Sequence, residues 1–268
     1  MAFGAVGRVE WLSCMILTAI LAQFPVSLCI QTNLEAICAV LEPAKAGDLV
    51  LFPEGCVSGY STDLSFLEKI QPRELEMALN HIQSEAEKRK LNVWVGACVN
   101  ENGKWFNAAY GFTPEGGTQR YHKINLAAHE RGVFSAGATL PIFDLQTPDG
   151  LVPIGVQICR EVRFPEQWGW LARRGAQIIL HLNNATGDDR YQSVWKSHLI
   201  SRAAETQRFV LSANNAAPKQ ICPTLAVAPD GQVLGEIVSA GPETLRFPLD
   251  LSQVSNWYLN QSRTDYLF

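Results

Sequence analysis

The chain has 268 residues, of which 47% are hydrophobic and 18% charged, and its formal net charge is −4. That composition supplies apolar surface for one large α/β core and excludes a disordered chain. With no basic field to attract phosphates, nucleic acid is excluded as a partner.

In chain order, residues 1–14 read as an N-terminal extension and 15–268 as a single domain, since no repeat, low-complexity tract or linker-like composition shift divides the remainder. From Trp11 to Leu34 there is no charge, and Arg8 lies just before that run. Such a run is compatible with a signal peptide or a membrane span. Gln23, Pro25, Gln31 and Asn33 interrupt it, however, and the apolar part proper is only strand length. It is therefore assigned to a first core strand, Met15–Phe24, with no membrane partner.

Further strands are predicted at Leu49–Phe52, Val93–Val99, Asn107–Phe112, Gln119–Lys123, Leu151–Ile158, Gln177–Leu182, Phe209–Ala213 and Leu225–Ala228. Several are nearly continuous apolar runs, as strands covered on both faces are. Helices alternate with them. Pro72 opens one at a favourable first-turn position, with Leu75, Leu79, Ile82 and Ala86 as its apolar stripe. A second runs from about Pro165 to Arg174 and stops at Gly175, and a third spans about Tyr191 to Gln207. Asp230-Gly231 marks a late hairpin. The alternation implies a mixed-sheet α/β domain with helices outside.

Three apolar strands deliver a reactive side chain at their carboxyl ends: Glu54 in "DLVLFPEGCVSGY", Lys123 in "QRYHKINL" and Cys159 in "GVQICREVRFPE". Ligand sites in α/β sheets lie outside those ends. Together the three residues would make coherent acyl-transfer chemistry. The thiol of Cys159 needs a base, Glu54 can take its proton and return it to a leaving amine, and Lys123 can lower the thiol pKa and hold an oxyanion. The amide N–H of Arg160 is a second oxyanion donor. Taken singly, each has a plainer reading: a buried structural thiol, a capping carboxylate and a solvated lysine. Spacing along the chain does not show that they meet. No GxSxG, GxGxxG or P-loop offers a rival. The seven cysteines form no CxxC and the five histidines no HExxH, so no metal is expected, and the cysteines read as reduced thiols of a cytoplasmic protein.

At these residues the sequence resembles the nitrilase superfamily, the carbon–nitrogen hydrolases. The likeness runs in order from "AQFPV" at 22–26 through "LFPEGCVSGY", "YHKINL" and "GVQICREVRFPEQWGWLARRGAQIIL" to "RTDYL" at 263–267. The resemblance implies a four-layer αββα sandwich with mixed sheets, built into homodimers or larger homo-oligomers, and a thioester acyl-enzyme formed without metal or organic cofactor. It gives Glu54, Lys123 and Cys159 the catalytic roles and makes Glu130, seven residues after Lys123, a second active-site acid. It also suggests Arg163 and Asn184 as substrate contacts, in the manner of carbamoylases of the superfamily. Arg163 and Asn183 each have an alternative reading, as an anchor of the nucleophile turn and as a turn cap. The helix after Cys159 and the Tyr191–Gln207 helix are where such proteins pair, with Trp168, Trp170 and Trp195 as candidate anchors.

Two departures from the commoner pattern narrow the expectation. Arg160 follows the nucleophile where tyrosine or tryptophan is usual, and "AAH" precedes Glu130 in place of the frequent phenylalanine-glycine. The expected enzyme cleaves a small amide or N-carbamoyl substrate, with Arg160 biasing the pocket towards anionic ones or pointing away. A nitrilase, or a non-catalytic binding member of the fold, is the alternative.

Overall fold

The computed structural model describes residues 15–263, so the expected extension 1–14 and the "RTDYL" end from 264 onward lie outside the described residues. The uncharged opening run is a strand, β1 (Ile16–Gln23), followed by a helix, α1 (Ile30–Leu41). Then come β2 (Leu49–Leu51), α2 (Pro72–Arg89), β3 (Asn92–Glu101), β4 (Lys104–Phe112) and β5 (Thr118–His122). The second half holds β6 (Phe143–Thr147), β7 (Gly150–Ile158), α3 (Pro165–Arg173), β8 (Ile178–Leu182), α4 (Gln192–Thr206) and β9 (Phe209–Ala213). It ends with β10 (Thr224–Val227), β11 (Val233–Ile237), β12 (Glu243–Asp250) and a short α5 (Trp257–Gln261). Among the described residues no helix is long and apolar enough to cross a membrane.

Two six-stranded mixed sheets result, in the orders β12-β1-β2-β3-β4-β5 and β11-β10-β9-β8-β7-β6. The period-2 alternation of the strands decides which side chains go where. Leu17, Ala19 and Leu21 of β1 face the second sheet, where they meet Val152, Ile154, Val156 and Ile158 of β7 and their counterparts on β8 and β9. Ile20 and Ala22 point the other way, onto α1 and α2. On the far side, Ile179 and Val210 pack under Trp168, Leu171 and Leu199 of α3 and α4. Helix, sheet, sheet, helix is therefore the layer order, the expected αββα sandwich.

The strands that carry the candidate residues lie at the middles of these sheets or at one edge. β2 runs parallel to β1 and β3, and β7 runs parallel to β8, so Glu54 and Cys159 leave their sheets in comparable ways. Gly96 on β3 is where the chain after β2 presses closest: a Cβ there would collide with the Gly55 nitrogen and stand 2.7 Å from the Glu54 Cα. Only a glycine allows that approach. The loop is further tied down by Val57 N–H to the Gly96 carbonyl at 3.0 Å. Asn33 of α1, fully buried, gives its side-chain amide to the Ser27 and Val57 carbonyls at 2.7 and 3.2 Å. A residue that looks like a polar break in an apolar run is thus the link between α1 and the Glu54 loop.

One expectation is corrected. Trp168 and Trp195 are 0% and 5% exposed, packed inside the α3/α4 layer, and so are unavailable as contacts for another protomer. Of the three tryptophans named from sequence, only Trp170 is exposed, at 50%.

Candidate active site

Glu54 sits on the turn that follows β2, with Gly55 and Gly59 at φ values of 65° and 82° on its far side. Its backbone N–H reaches across to the other sheet and donates to the Asn183 carbonyl, just past β8, at 3.1 Å. Lys123 follows β5 directly; its N–H donates to the Asn107 carbonyl and its own carbonyl accepts from Gly137, both at 2.9 Å. Glu130 lies in the turn beyond, with one carboxylate oxygen accepting from the Ala127 N–H at 2.5 Å. All three side chains are fully removed from water.

They meet. The Lys123 ammonium is 2.9 Å from Glu54 Oε1 and 3.0 Å from Glu130 Oε1. Asn107 on β4 spans the same two oxygens, its Nδ2 at 2.7 and 2.8 Å from them. Because ionised carboxylates only accept, the Asn107 amide must turn its NH2 towards them, and its Oδ1 is left buried without a partner. Tyr60 adds a third donor to Glu130 Oε1 at 2.7 Å. Burial opposes the charge on Lys123, yet the Glu54 and Glu130 carboxylates outweigh it and push the ammonium pKa up, so the lysine stays charged. For Glu130, burial pulls the other way, but Lys123 and the donors from Tyr60, Ala127 and Asn107 hold the carboxyl below its ordinary range.

Cys159 ends β7 on a left-handed backbone, φ 49°, a conformation that non-glycine residues adopt only when the surroundings impose it. Two groups do so. Glu161 is buried and accepts four hydrogen bonds: Ile158 N–H at 2.8 Å from the nucleophile strand, and Tyr121 O–H, Ile124 N–H and Asn125 N–H at 2.8, 2.8 and 3.0 Å from the lysine segment. One carboxylate thus fastens the β5 exit of the first sheet to the β7 exit of the second. On the opposite side His181 of β8 contacts the Cys159 carbonyl through Nε2 at 2.9 Å. A carbonyl only accepts, so Nε2 carries the proton and Nδ1 accepts, from Asn183 Nδ2 at 2.8 Å and Ser212 Oγ at 3.1 Å.

The half-buried thiol of Cys159 lies within electrostatic reach of Glu54, Lys123 and Glu130. The pull of Lys123 on its pKa is in the expected direction but is outweighed. Lys123 does pull it down, but burial, Glu54 and Glu130 push it well above the ordinary thiol range. Burial and the two carboxylates therefore favour Cys159 as S–H. Of the lysine's three N–H groups two are spent on carboxylates, which leaves one for a substrate oxygen.

The remaining sequence-derived candidates are placed as follows. Asn184 donates its N–H to Glu54 Oε2 at 3.0 Å and its Nδ2 to the Glu54 carbonyl at 3.3 Å, so it orients the glutamate. Its Oδ1 accepts from Asn215. Arg160 is half-buried, with its Nε enclosed and without a hydrogen-bond partner among the described residues. Arg163 is exposed and lies over the Trp195 ring, 5.5 Å from its centroid, outside the carboxylate cluster. Sequence reasoning missed Tyr60, Asn107, Glu161 and His181. The available signal was polarity inside an apolar run, Asn107 in "FNAAYGF" and His181 in "IILHL". Among the described residues no group of three or more His, Cys, Asp or Glu side chains could hold a metal ion.

A four-layer sandwich whose two sheets bring two carboxylates, a lysine and a strained cysteine to one place defines a class of hydrolase. The chain belongs to the carbon–nitrogen hydrolase family, whose model matches residues 21–258. It is 29% identical over 235 residues to an (R)-stereoselective amidase of Pseudomonas sp., covering 85% of this chain and 80% of that one. It is also 29% identical over 204 residues to a 2-oxoglutaramate amidase of Bacillus subtilis, covering 72% and 74%. Among solved structures, an amidase from Nesterenkonia sp. superposes with a TM-score of 0.76 at 25% identity, covering 97% of each chain.

The buried imidazole makes a pH prediction. Burial lowers the His181 pKa from 6.5 to about 4, so on acidification the unfolded chain takes up that proton first. The native protein should lose about 3 kcal/mol from this group as pH falls from the unfolded to the folded value, at about 1.4 kcal/mol per unit. His181→Gln, which keeps an N–H donor but does not titrate, should lack that part of the loss. Urea unfolding at about pH 7 and about pH 4.5 checks this; equal losses in both proteins would contradict it.

Proposed function

We propose that this carbon–nitrogen hydrolase is a cysteine-dependent amidase acting on small amide or N-carbamoyl substrates. The observation that carries the reading is the single ammonium of Lys123 shared between Glu54 and Glu130, with the Cys159 thiol in their field. In this scheme the Cys159 sulfur attacks the substrate carbonyl carbon while Glu54 accepts the thiol proton. The oxyanion forms against the free N–H of Lys123 and the amide N–H of Arg160. Glu54 then gives its proton to the departing nitrogen, ammonia leaves, and a thioester remains. Water attacks the thioester, Glu54 takes one of its protons and returns it to the sulfur, and the carboxylic product is released. Glu130, ionised by its donors, keeps Lys123 charged and fixed and is not itself consumed.

The half-buried Arg160 beside the nucleophile is the basis for assigning substrates with a carboxylate. Its guanidinium offers a fork of donors suited to such a group. The amidases among the relatives support the amide class. The free cysteines Cys29, Cys38, Cys56, Cys98, Cys159 and Cys222 are in keeping with a reducing, cytoplasmic setting.

The test is ammonia release from a panel of small amides, ω-amides of acids and N-carbamoyl compounds. Wild type should turn over members of the panel, the carboxylate-bearing ones best, and Arg160→Ala should lose that preference. Cys159→Ala should lower turnover by at least about 10³-fold, the scale of a missing nucleophile with binding left intact. An active wild type with an equally active Cys159→Ala would remove the assignment.

A homodimer or larger homo-oligomer is also assigned, paired through the α3/α4 face, where exposed Trp170 stands beside Tyr258 in a cavity also lined by Pro165, Arg173 and Leu259. Light scattering should give at least twice the monomer mass at micromolar concentration. A monomer mass there would overturn this assignment.

A further inference from the structure

The carboxylate cluster does not end at Tyr60. His129, exposed in the turn before Glu130, places its Nε2 3.0 Å from the Tyr60 hydroxyl, and the two rings meet edge to face at 6.1 Å. Burial, together with the charges of Glu54 and Glu130, holds the Tyr60 phenol far above its ordinary range, so its proton stays on oxygen. That one O–H is spent on Glu130 at 2.7 Å. The contact with His129 then has only one polarity: the imidazole Nε2–H donates and the phenol oxygen accepts. Beyond Tyr60, Glu130 Oε1 accepts from Lys123 and Asn107, and both of these also donate to Glu54 Oε1. A continuous chain of hydrogen bonds therefore runs from a solvent-facing imidazole to the buried glutamate.

We propose that His129 is a positioning residue of this active site: by donating to Tyr60 it holds the phenol against Glu130 and keeps Glu130 an ionised partner for Lys123. The inference rests on the amidase reading for its link to turnover. A phenol oxygen that accepts a bond is a stronger donor through its own O–H, because successive hydrogen bonds polarise one another. Donors to a carboxylate favour its charged form, so removing the outer donor lets Glu130 take a proton at higher pH. A protonated Glu130 no longer shares the ammonium equally, Lys123 is drawn onto Glu54, and both the base and the oxyanion donor lose their places.

The charged and titratable groups facing Glu130 are Glu54 and Tyr60 from the loop after β2, Cys98 from β3, Lys123 from the β5 exit and Cys159 from the β7 exit. On its own turn His129 precedes it and exposed Arg131 follows it. Of these, His129 reaches Glu130 only through Tyr60, and that makes the relay separable by mutation.

The experiment uses His129→Ala, His129→Gln, Tyr60→Phe and the Tyr60→Phe/His129→Ala double variant, with two readouts. In turnover, His129→Ala should lower kcat/KM about three- to tenfold near neutral pH, the worth of one net hydrogen bond, and move the acid limb of the pH profile upward. His129→Gln, which retains an N–H donor, should recover most of both changes. In urea unfolding, which needs no substrate, His129→Ala should cost about three- to tenfold in the folding equilibrium constant with Tyr60 present and nothing measurable in the Tyr60→Phe background. An acid limb that overlays wild type, or unfolding effects that simply add, would overturn the proposal. Should Cys159→Ala prove as active as wild type, the amidase reading fails instead, and the unfolding cycle still decides whether His129 acts through Tyr60.

Discussion

An ammonium at 2.9 and 3.0 Å from two carboxylates, with all three groups out of water, is stable only as a set. Removing two anions and a cation from solvent costs several kcal/mol per ion, and only close pairing with further donors offsets it. Tyr60, Asn107 and the Ala127 and Asn184 amides supply those donors, so each of the four carboxylate oxygens accepts at least one hydrogen bond. The cluster's charge also acts on the neighbouring cysteine. Two negative charges against one positive leave a net negative field, and burial together with that field pushes the Cys159 thiol pKa up.

The set can assemble because the two sheets end at the same place. Glu54 and Lys123 come from the first sheet and Cys159 from the second, and the sequence separations between them exceed anything a local motif could span. The cross-sheet bonds are few and specific: Glu54 N–H to the Asn183 carbonyl, Asn184 to Glu54, and the Glu161 carboxylate to both the lysine segment and the nucleophile strand. His181 completes the frame from beneath the Cys159 carbonyl. Glu161 and His181, from either side, hold a cysteine in a backbone region it would otherwise leave.

The strands that deliver Glu54 and Cys159 were legible because burial on both faces writes them as apolar runs with abrupt polar exits, whereas β5, which delivers Lys123, is a polar edge strand. α1 was not legible. Of its buried positions Ile30 lies in the uncharged run that ends at Leu34, Ile37 and Leu41 follow Glu35, and the fourth is Asn33, whose burial is explained only by the carbonyls it meets. β6 and β12 were missed for another reason: as sheet edges they are half-exposed, and "FDLQT" and "ETLRFPLD" mix polar residues and a proline that a central strand would not carry. Among the site residues Glu54, Lys123 and Cys159 announce themselves at strand exits, whereas Tyr60 and Asn107 are neutral and Glu161 is a carboxylate whose role shows only in the four donors it meets. Spacing shows a lysine near Cys159 but not how deeply the pair is buried, and burial decides the net direction of the thiol pKa. Likewise, a tryptophan on a helix next to the site looks the same in sequence whether it faces outward, as Trp170 does, or inward, as Trp168 does.

The dependence on one shared ammonium is tested most sharply by removing the charge and keeping the shape, in the urea unfolding of Lys123→Met at about pH 7 and about pH 5. Without the ammonium, two buried carboxylates face each other and Glu130 loses the charge that holds its pKa down, so the variant gains stability as pH falls. The expected result is a loss of about 3–5 kcal/mol against wild type near neutral pH, with part of it recovered at the lower pH as a carboxylate takes up a proton. A variant as stable as wild type at both pH values would show that the carboxylates do not need the lysine, and the shared-ion description of this site would be wrong.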